Sequence, residues 1–277
     1  MAITAQEVNK LRQMTGAGMM DCKKALVESE GDFDLAIEIL RKKGQKVSAN
    51  RADRQTNEGS VFIQTNDDNT LAVIVALGCE TDFVAKNQDF LDLGSEILKI
   101  AFNARPESID ALKALKSGDL TIADKITELI GKIGEKIDII ACEITKGETV
   151  VPYVHAGSKL GVLVALKGTN GKDVTDAGRD VAMQIAAMRP VAVDKDDVDA
   201  AIIQLELKIG REQAIAEGKP AQMVDKIAEG KLNKFFKDNT LLNQAYVKDN
   251  SLTVAKYLDS VNKGLTVESF RRVSVSQ

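Results

Sequence analysis

Leu71-Ala72-Val73-Ile74-Val75-Ala76-Leu77 returns further along the chain as Leu160-Gly161-Val162-Leu163-Val164-Ala165-Leu166. Each run is apolar almost throughout and of strand length, and Gly78 closes the first. A shorter strand-like segment precedes each: Val61-Phe62-Ile63-Gln64 in one case, Pro152-Tyr153-Val154-His155 in the other. Asp67-Asp68-Asn69 and Gly157-Ser158 supply the intervening hairpin turns. A patterned helix follows both pairs, at 88–103 and 175–188, and a third strand closes both, at 137–144 and 265–275. The chain is internally duplicated. The fold class is α+β, with two sibling units that are each a small antiparallel sheet covered by helices. Such a sheet is expected to bury one face.

The rest of the chain is read around that duplication. Residues 1–44 form an N-terminal module of three short helices. Thr4 and Glu7 have capping-box spacing, Gly16-Ala17-Gly18 and Gly31-Asp32 make the breaks, and Phe33, Ala36, Ile39 and Leu40 share an inward face. Residues 45–59 are polar and basic with hardly an apolar side chain, which reads as a linker. The first core subdomain then spans 60–147 and the second 148–277. Inside the second, about 196–236, apolar residues recur at helical spacing on both sides of Gly218-Lys219-Pro220. This is a helical hairpin, and periodicity leaves open whether it projects as an antiparallel coiled coil or lies flat on the sheet.

One loop stands out. Thr81-Asp82-Phe83-Val84-Ala85-Lys86-Asn87 sits at a strand-to-helix turn, where side chains on loops are held by rigid elements. Two readings are open: Asp82 caps a helix and Phe83 fills the core, or the stretch acts by contact. Met19 and Met20 pose a similar choice. Neighbouring helical residues point about 100° apart, so the two do not both fit fully into a very small core: either an exposed methionine serves as an adaptable contact surface, or a methionine packs loosely in the core.

Composition narrows the function. The chain has 277 residues, 44% of them hydrophobic, with a formal net charge of −4. No basic field points to nucleic acid or to an anionic membrane. The three cysteines, Cys22, Cys79 and Cys142, form no CxxC pair and read as small core residues in a reducing, cytoplasmic setting. The amino terminus shows no signal-peptide pattern, and no apolar run approaches the roughly 18 residues that span a bilayer. His155 is the sole histidine, so a multi-histidine metal site is excluded, and no Ser–His or Cys–His pairing lies near the Thr81–Asn87 stretch. No phosphate-binding loop is present, since Gly168-Thr169-Asn170-Gly171-Lys172 is too short. No cofactor is expected. These features describe a non-enzymatic protein, and on the residues alone a two-repeat scaffold with a helical protein-binding module.

Long strings carry a resemblance. Met14-Thr15-Gly16-Ala17-Gly18-Met19-Met20-Asp21-Cys22-Lys23-Lys24-Ala25-Leu26 and Cys79-Glu80-Thr81-Asp82-Phe83-Val84-Ala85-Lys86-Asn87 resemble the bacterial translation elongation factor Ts family. So do Lys132-Ile133-Gly134-Glu135, Tyr153-Val154-His155 and Gly218-Lys219-Pro220. The resemblance implies a guanine-nucleotide exchange factor whose partner is the GTPase elongation factor Tu. It implies that Thr81, Asp82, Phe83 and Val84 enter the GTPase domain and displace the elements that hold magnesium. It further implies partner contacts at Leu11, Met19, Met20 and Asp21, and at Ile133, Gly134 and His155, with Gly157 and Lys159 beside the last. Longer family members add a C-terminal helix that clasps the GTPase; this sequence ends at Arg271-Arg272-Val273-Ser274-Val275-Ser276-Gln277, so that contact is expected to be missing. The hairpin leaves room for a homodimer contact.

Overall fold

A computed structural model describes residues 3–276. Met1, Ala2 and Gln277, which the domain bounds above include, lie outside the described residues. The N-terminal helices are α1 (Ala5–Thr15), α2 (Met19–Glu28) and α3 (Phe33–Asn50). The Thr4–Glu7 capping box is formed, with Glu7 Oε2 accepting from the Thr4 backbone N–H at 2.7 Å. Gly16 ends α1 in the left-handed conformation at φ 65°, which its missing Cβ permits. Asp32 caps α3 by accepting from the Leu35 N–H at 3.0 Å. Val8, Leu11, Cys22, Ala25, Leu26 and Ala36 close a small core of their own.

The first unit follows as β1 (Glu58–Thr65), β2 (Leu71–Cys79), the single turn α4 (Asp82–Ala85), α5 (Gln88–Ala104), α6 (Ile109–Ala114), the short hairpin β3 (Lys116–Ser117) and β4 (Leu120–Thr121), α7 (Ile122–Ile133), and β5 (Ile137–Lys146). The second runs through β6 (Thr149–Val154), β7 (Leu160–Lys167), α8 (Thr175–Met188), the hairpin helices α9 (Ala200–Ala216) and α10 (Ala221–Asn239), β8 (Ala245–Tyr246), β9 (Asp249–Thr253), α11 (Val254–Val261) and β10 (Thr266–Ser274). Both units build one three-stranded antiparallel sheet with the duplicated strand in the middle, in the orders β1-β2-β5 and β10-β7-β6. The α+β reading and the duplication are both realised.

The sheets depart from expectation in one respect. Instead of burying one face, each buries two. Val73, Val75 and Leu77 of β2 point to the helices of the first unit, while Ala72, Ile74 and Ala76 point the other way. The latter meet Leu163 and Ala165 of β7 in a shared cluster with Val61, Val150, Val273 and Val275. Val162, Val164 and Leu166 then face the second unit's helices. The two copies thus use each other as the cover for their outer faces. That explains why both central strands are apolar at every position rather than at alternate ones. Backbone bonds tie the copies as well: Val61 N–H to Ser158 O at 2.7 Å, and Val150 N–H to Asn69 O at 2.6 Å.

The segment read as a linker at 45–59 also departs. Helix α3 runs on to Asn50, six residues past the predicted end of the module at 44. The reason lies in another element. At Gly44 the helix crosses α7 so closely that a Cβ on Gly131 would fall 2.8 Å from the Gly44 Cα. Val47 then packs on the first unit's core, and Arg41 pairs with Glu128 at 3.0 Å. The module is docked along α7 rather than tethered at a distance.

The helical hairpin projects. Its helices touch closely where a Cβ on Gly210 would come 3.0 Å from the Ala228 Cα, and Arg211 bridges to Asp225 at 2.7 Å. Within α9 and α10 only Gly210, Ala214 and Ala228 are buried. The hairpin joins the body at its base, through Val191 N–H to Asn239 O and Leu241 N–H to Ala192 O. Replacing 209–223 by a short Gly/Ser turn is therefore expected to leave one cooperative melting transition, displaced by a few degrees at most. Loss of that transition in calorimetry would place the hairpin in the core.

Candidate functional site

The site grows from the carboxyl end of β2. After Cys79 the chain leaves the sheet, and Thr81, in extended conformation, caps α4 with its hydroxyl facing the Val84 N–H at 3.5 Å. Thr81 takes the capping role that the sequence reading gave to Asp82. Asp82 pairs instead with Lys86 at 2.8 Å, one turn on. Val84 and Ala85 are buried in the first unit's core. At about 100° per residue, a single turn that points both of these inward points the residue before them outward. Phe83 is 82% exposed, the highest value for a large apolar side chain among the described residues. The reading of Phe83 as core is overturned.

Carboxylates from either side of the gap between β2 and α7 hold this turn. Glu135, just past the end of α7, accepts from the Thr81 backbone N–H at 3.1 Å and from its hydroxyl at 2.9 Å. Reciprocally, Glu80 accepts from the Lys136 N–H at 2.7 Å and from Arg51, just past α3, at 2.9 Å and 3.0 Å. Burial works against the charge of Glu80, yet the Lys136 N–H and Arg51 outweigh it and hold its carboxyl below the usual range. The hydrogen bond from Lys86, then the charges of Lys86 and Lys159, also lower the Asp82 carboxyl. Burial, aided by Glu135 and Glu58, pushes the Cys79 thiol up to about 12, so it stays neutral and donates to the Thr81 carbonyl at 3.1 Å.

Other predicted positions gather nearby. Gly134 ends α7 in the left-handed conformation at φ 84°, which turns the chain towards Glu135 and, through it, towards the turn at Thr81. His155 is exposed at the end of β6, its Nδ1 2.9 Å from the Tyr153 hydroxyl. The turn after it, Gly157-Ser158-Lys159, lines one notch together with Asp82, Ala85 and Lys86, so residues of both copies meet there. Met19 and Met20 are 55% and 64% exposed, which removes the loose-core alternative. Their module reaches this end through Lys132, which packs on Gly16 and bridges to Asp89 at 2.7 Å. Asp21 is engaged within the module by Lys43.

Two implied contact residues have buried side chains. Leu11 is fully buried in the module's own core, and Val84 is 7% exposed. Neither side chain offers surface: Leu11 supports the face that carries Met19 and Met20, and Val84 anchors the turn that carries Phe83. The sequence reading assigned no role to Glu135, Glu80 or Arg51. Glu135 was nevertheless visible as the residue following Ile133-Gly134 in one of the family strings. Among the described residues no cluster of three His, Cys, Asp or Glu side chains could hold a metal ion, and no helix is long and apolar enough to cross a membrane.

The fold and this end of the molecule define a class: a duplicated α+β scaffold that presents one exposed aromatic side chain on a short turn, with exposed methionines on its N-terminal helical module. The model of the family described as Elongation factor TS matches residues 80–277. Elongation factor Ts of Amoebophilus asiaticus is 58% identical over 99% of both chains, and that of Cytophaga hutchinsonii is equally similar over the same shares. Elongation factor Ts of Chlorobium phaeobacteroides is 42% identical over 98% of this chain and 97% of its own. The chain belongs to the elongation factor Ts family.

Proposed function

We propose that this chain is a guanine-nucleotide exchange factor for elongation factor Tu, and that Phe83 is its wedge. Family membership supports the reading, and one observation carries it: a phenylalanine 82% exposed on a turn whose next two residues are buried. Water is a poor environment for that ring, and burying it in a partner contributes roughly 1.5–3 kcal/mol.

The activity is a linkage, with no covalent bond made or broken. GDP is held in a GTPase by magnesium and by backbone amides around its phosphates. A factor that binds the nucleotide-free form better weakens nucleotide binding by the same ratio. Each 1.4 kcal/mol of differential binding is about a factor of ten. Phe83 alone therefore supplies one or two decades, and further anchors are required. Met19, Met20, Ile133, Gly134 and His155 are assigned that part, with Asp82 disturbing the magnesium site. The scaffold reading assigns the same surface to binding without release.

Elongation factor Tu loaded with a fluorescent GDP separates them. Adding this protein is expected to speed release in a dose-dependent, saturable way. Binding without any acceleration would overturn the exchange reading and leave the scaffold.

A further inference from the structure

We infer that Glu135 is a positioning residue for the wedge, an inference that rests on the exchange reading above. Phe83 has almost no neighbours of its own, so its direction is inherited from the backbone of α4. That single turn is too short to hold itself, since a first helical turn fixes several dihedral angles for one hydrogen bond. Its carboxyl side is anchored by the buried Val84 and Ala85. Its amino side is anchored by Thr81, whose N–H and hydroxyl both donate to Glu135 from outside the loop.

The geometry is specific. One carboxylate takes both Thr81 donors, the N–H at 3.1 Å and the hydroxyl at 2.9 Å. A hydroxyl has one proton and two lone pairs. With its proton committed to Glu135, Thr81 Oγ1 can offer only a lone pair to the Val84 N–H, the bond that caps α4. Glu135 thus fixes the rotor that fixes the cap, and the cap fixes the turn carrying Phe83. Gly134 delivers it there, because a left-handed residue at φ 84° reverses the chain straight off α7. Ile133 and Gly134 are implied contact residues, so the carboxylate also ties two parts of the contact surface into one rigid unit.

A loosened wedge reaches its binding geometry for only a fraction of the time, which raises the apparent dissociation constant by the inverse of that fraction. Once bound, the partner imposes the geometry. Glu135→Ala is therefore expected to raise the concentration giving half-maximal GDP release by about tenfold, the worth of one charge-assisted hydrogen bond, with the maximal rate within about twofold of wild type. Glu135→Gln keeps one acceptor and should fall between. In a Phe83→Ala background, Glu135→Ala should add well under its tenfold, because the ring is the main group that it positions.

A half-saturation raised only in proportion to a folded fraction lost by circular dichroism would mean that Glu135 merely maintains the fold, and a lowered maximal rate with unchanged half-saturation would mean that it acts after docking; either would overturn the inference. So would effects of Glu135→Ala and Phe83→Ala that multiply. If Glu135→Ala does not fold, Glu135→Gln carries the same measurements. If Phe83→Ala itself exchanges at full rate, the wedge reading falls first; if only the Glu135 variants do, the positioning role falls alone.

Discussion

Replacing Phe83 with alanine is expected to lower the rate of GDP release from elongation factor Tu at least about tenfold, while the free protein melts within about 2 °C of wild type. The two halves of this expectation have one cause. At 82% exposure the ring is in water before the partner arrives, so truncating it removes little that the folded chain had buried. Truncating an aromatic hot spot at an interface costs about 2–4 kcal/mol of binding. Truncating a phenylalanine in a filled core costs about 3–5 kcal/mol of folding stability instead. Similar energies would thus appear on different observables. Val84→Ala makes the useful contrast: that side chain is buried under the turn, so it should lower the melting temperature and affect exchange only through the wedge's support. Release by Phe83→Ala at the wild-type rate would leave the exposed ring without a role in exchange.

The duplication was legible because a strand buried on both sides writes itself as an unbroken apolar run, and two such runs align residue by residue. What covers the second side was not legible. Val73 and Val75 look like Ile74 and Ala76 in composition, and only the assembled pair of sheets separates the helix-facing set from the sheet-facing one. The end of α3 was misread for a related reason. Gly44 looks like a helix terminator within its own segment, but its small size serves the crossing with Gly131, information held by a distant helix. At the site, Thr81 and Asp82 can both cap a helix, and a four-residue turn carries no periodicity from which to read the direction of Phe83. Family resemblance pointed to Leu11 and Val84 as positions without saying which way their side chains face. Glu135 escaped because its role depends on a partner, Thr81, far away in sequence and adjacent only once β2 and α7 are in place.

The same duplication leads to a sign test at Gly161. The second copy has glycine where the first has Ala72, and the sheets meet there: a Cβ on Gly161 would fall 2.5 Å from Ile74 Cδ1, 3.1 Å from Val61 Cγ2 and 3.3 Å from Ile63 Cδ1. Its backbone is not left-handed, so nothing about φ opposes a larger residue. If the face were open, Gly161→Val would be neutral or would stabilise by up to about 1 kcal/mol, since β-branched residues suit strands better than glycine. With the sheets face to face, three added carbons must displace Ile74, itself fully buried, and its neighbours. Overpacking of this kind costs about 3 kcal/mol, which in a chain of this size lowers the melting temperature by about 6–12 °C. Gly161→Ala should show a smaller loss, because Ile74 Cδ1 is the far end of a flexible side chain and can move aside for one added carbon. The transition should stay single in both variants, since Val61 and Ile74 of one copy and Leu163 and Ala165 of the other belong to one cluster and are lost together. A rise in melting temperature for Gly161→Val, or a melt that splits into two steps, would show that the copies do not share a core.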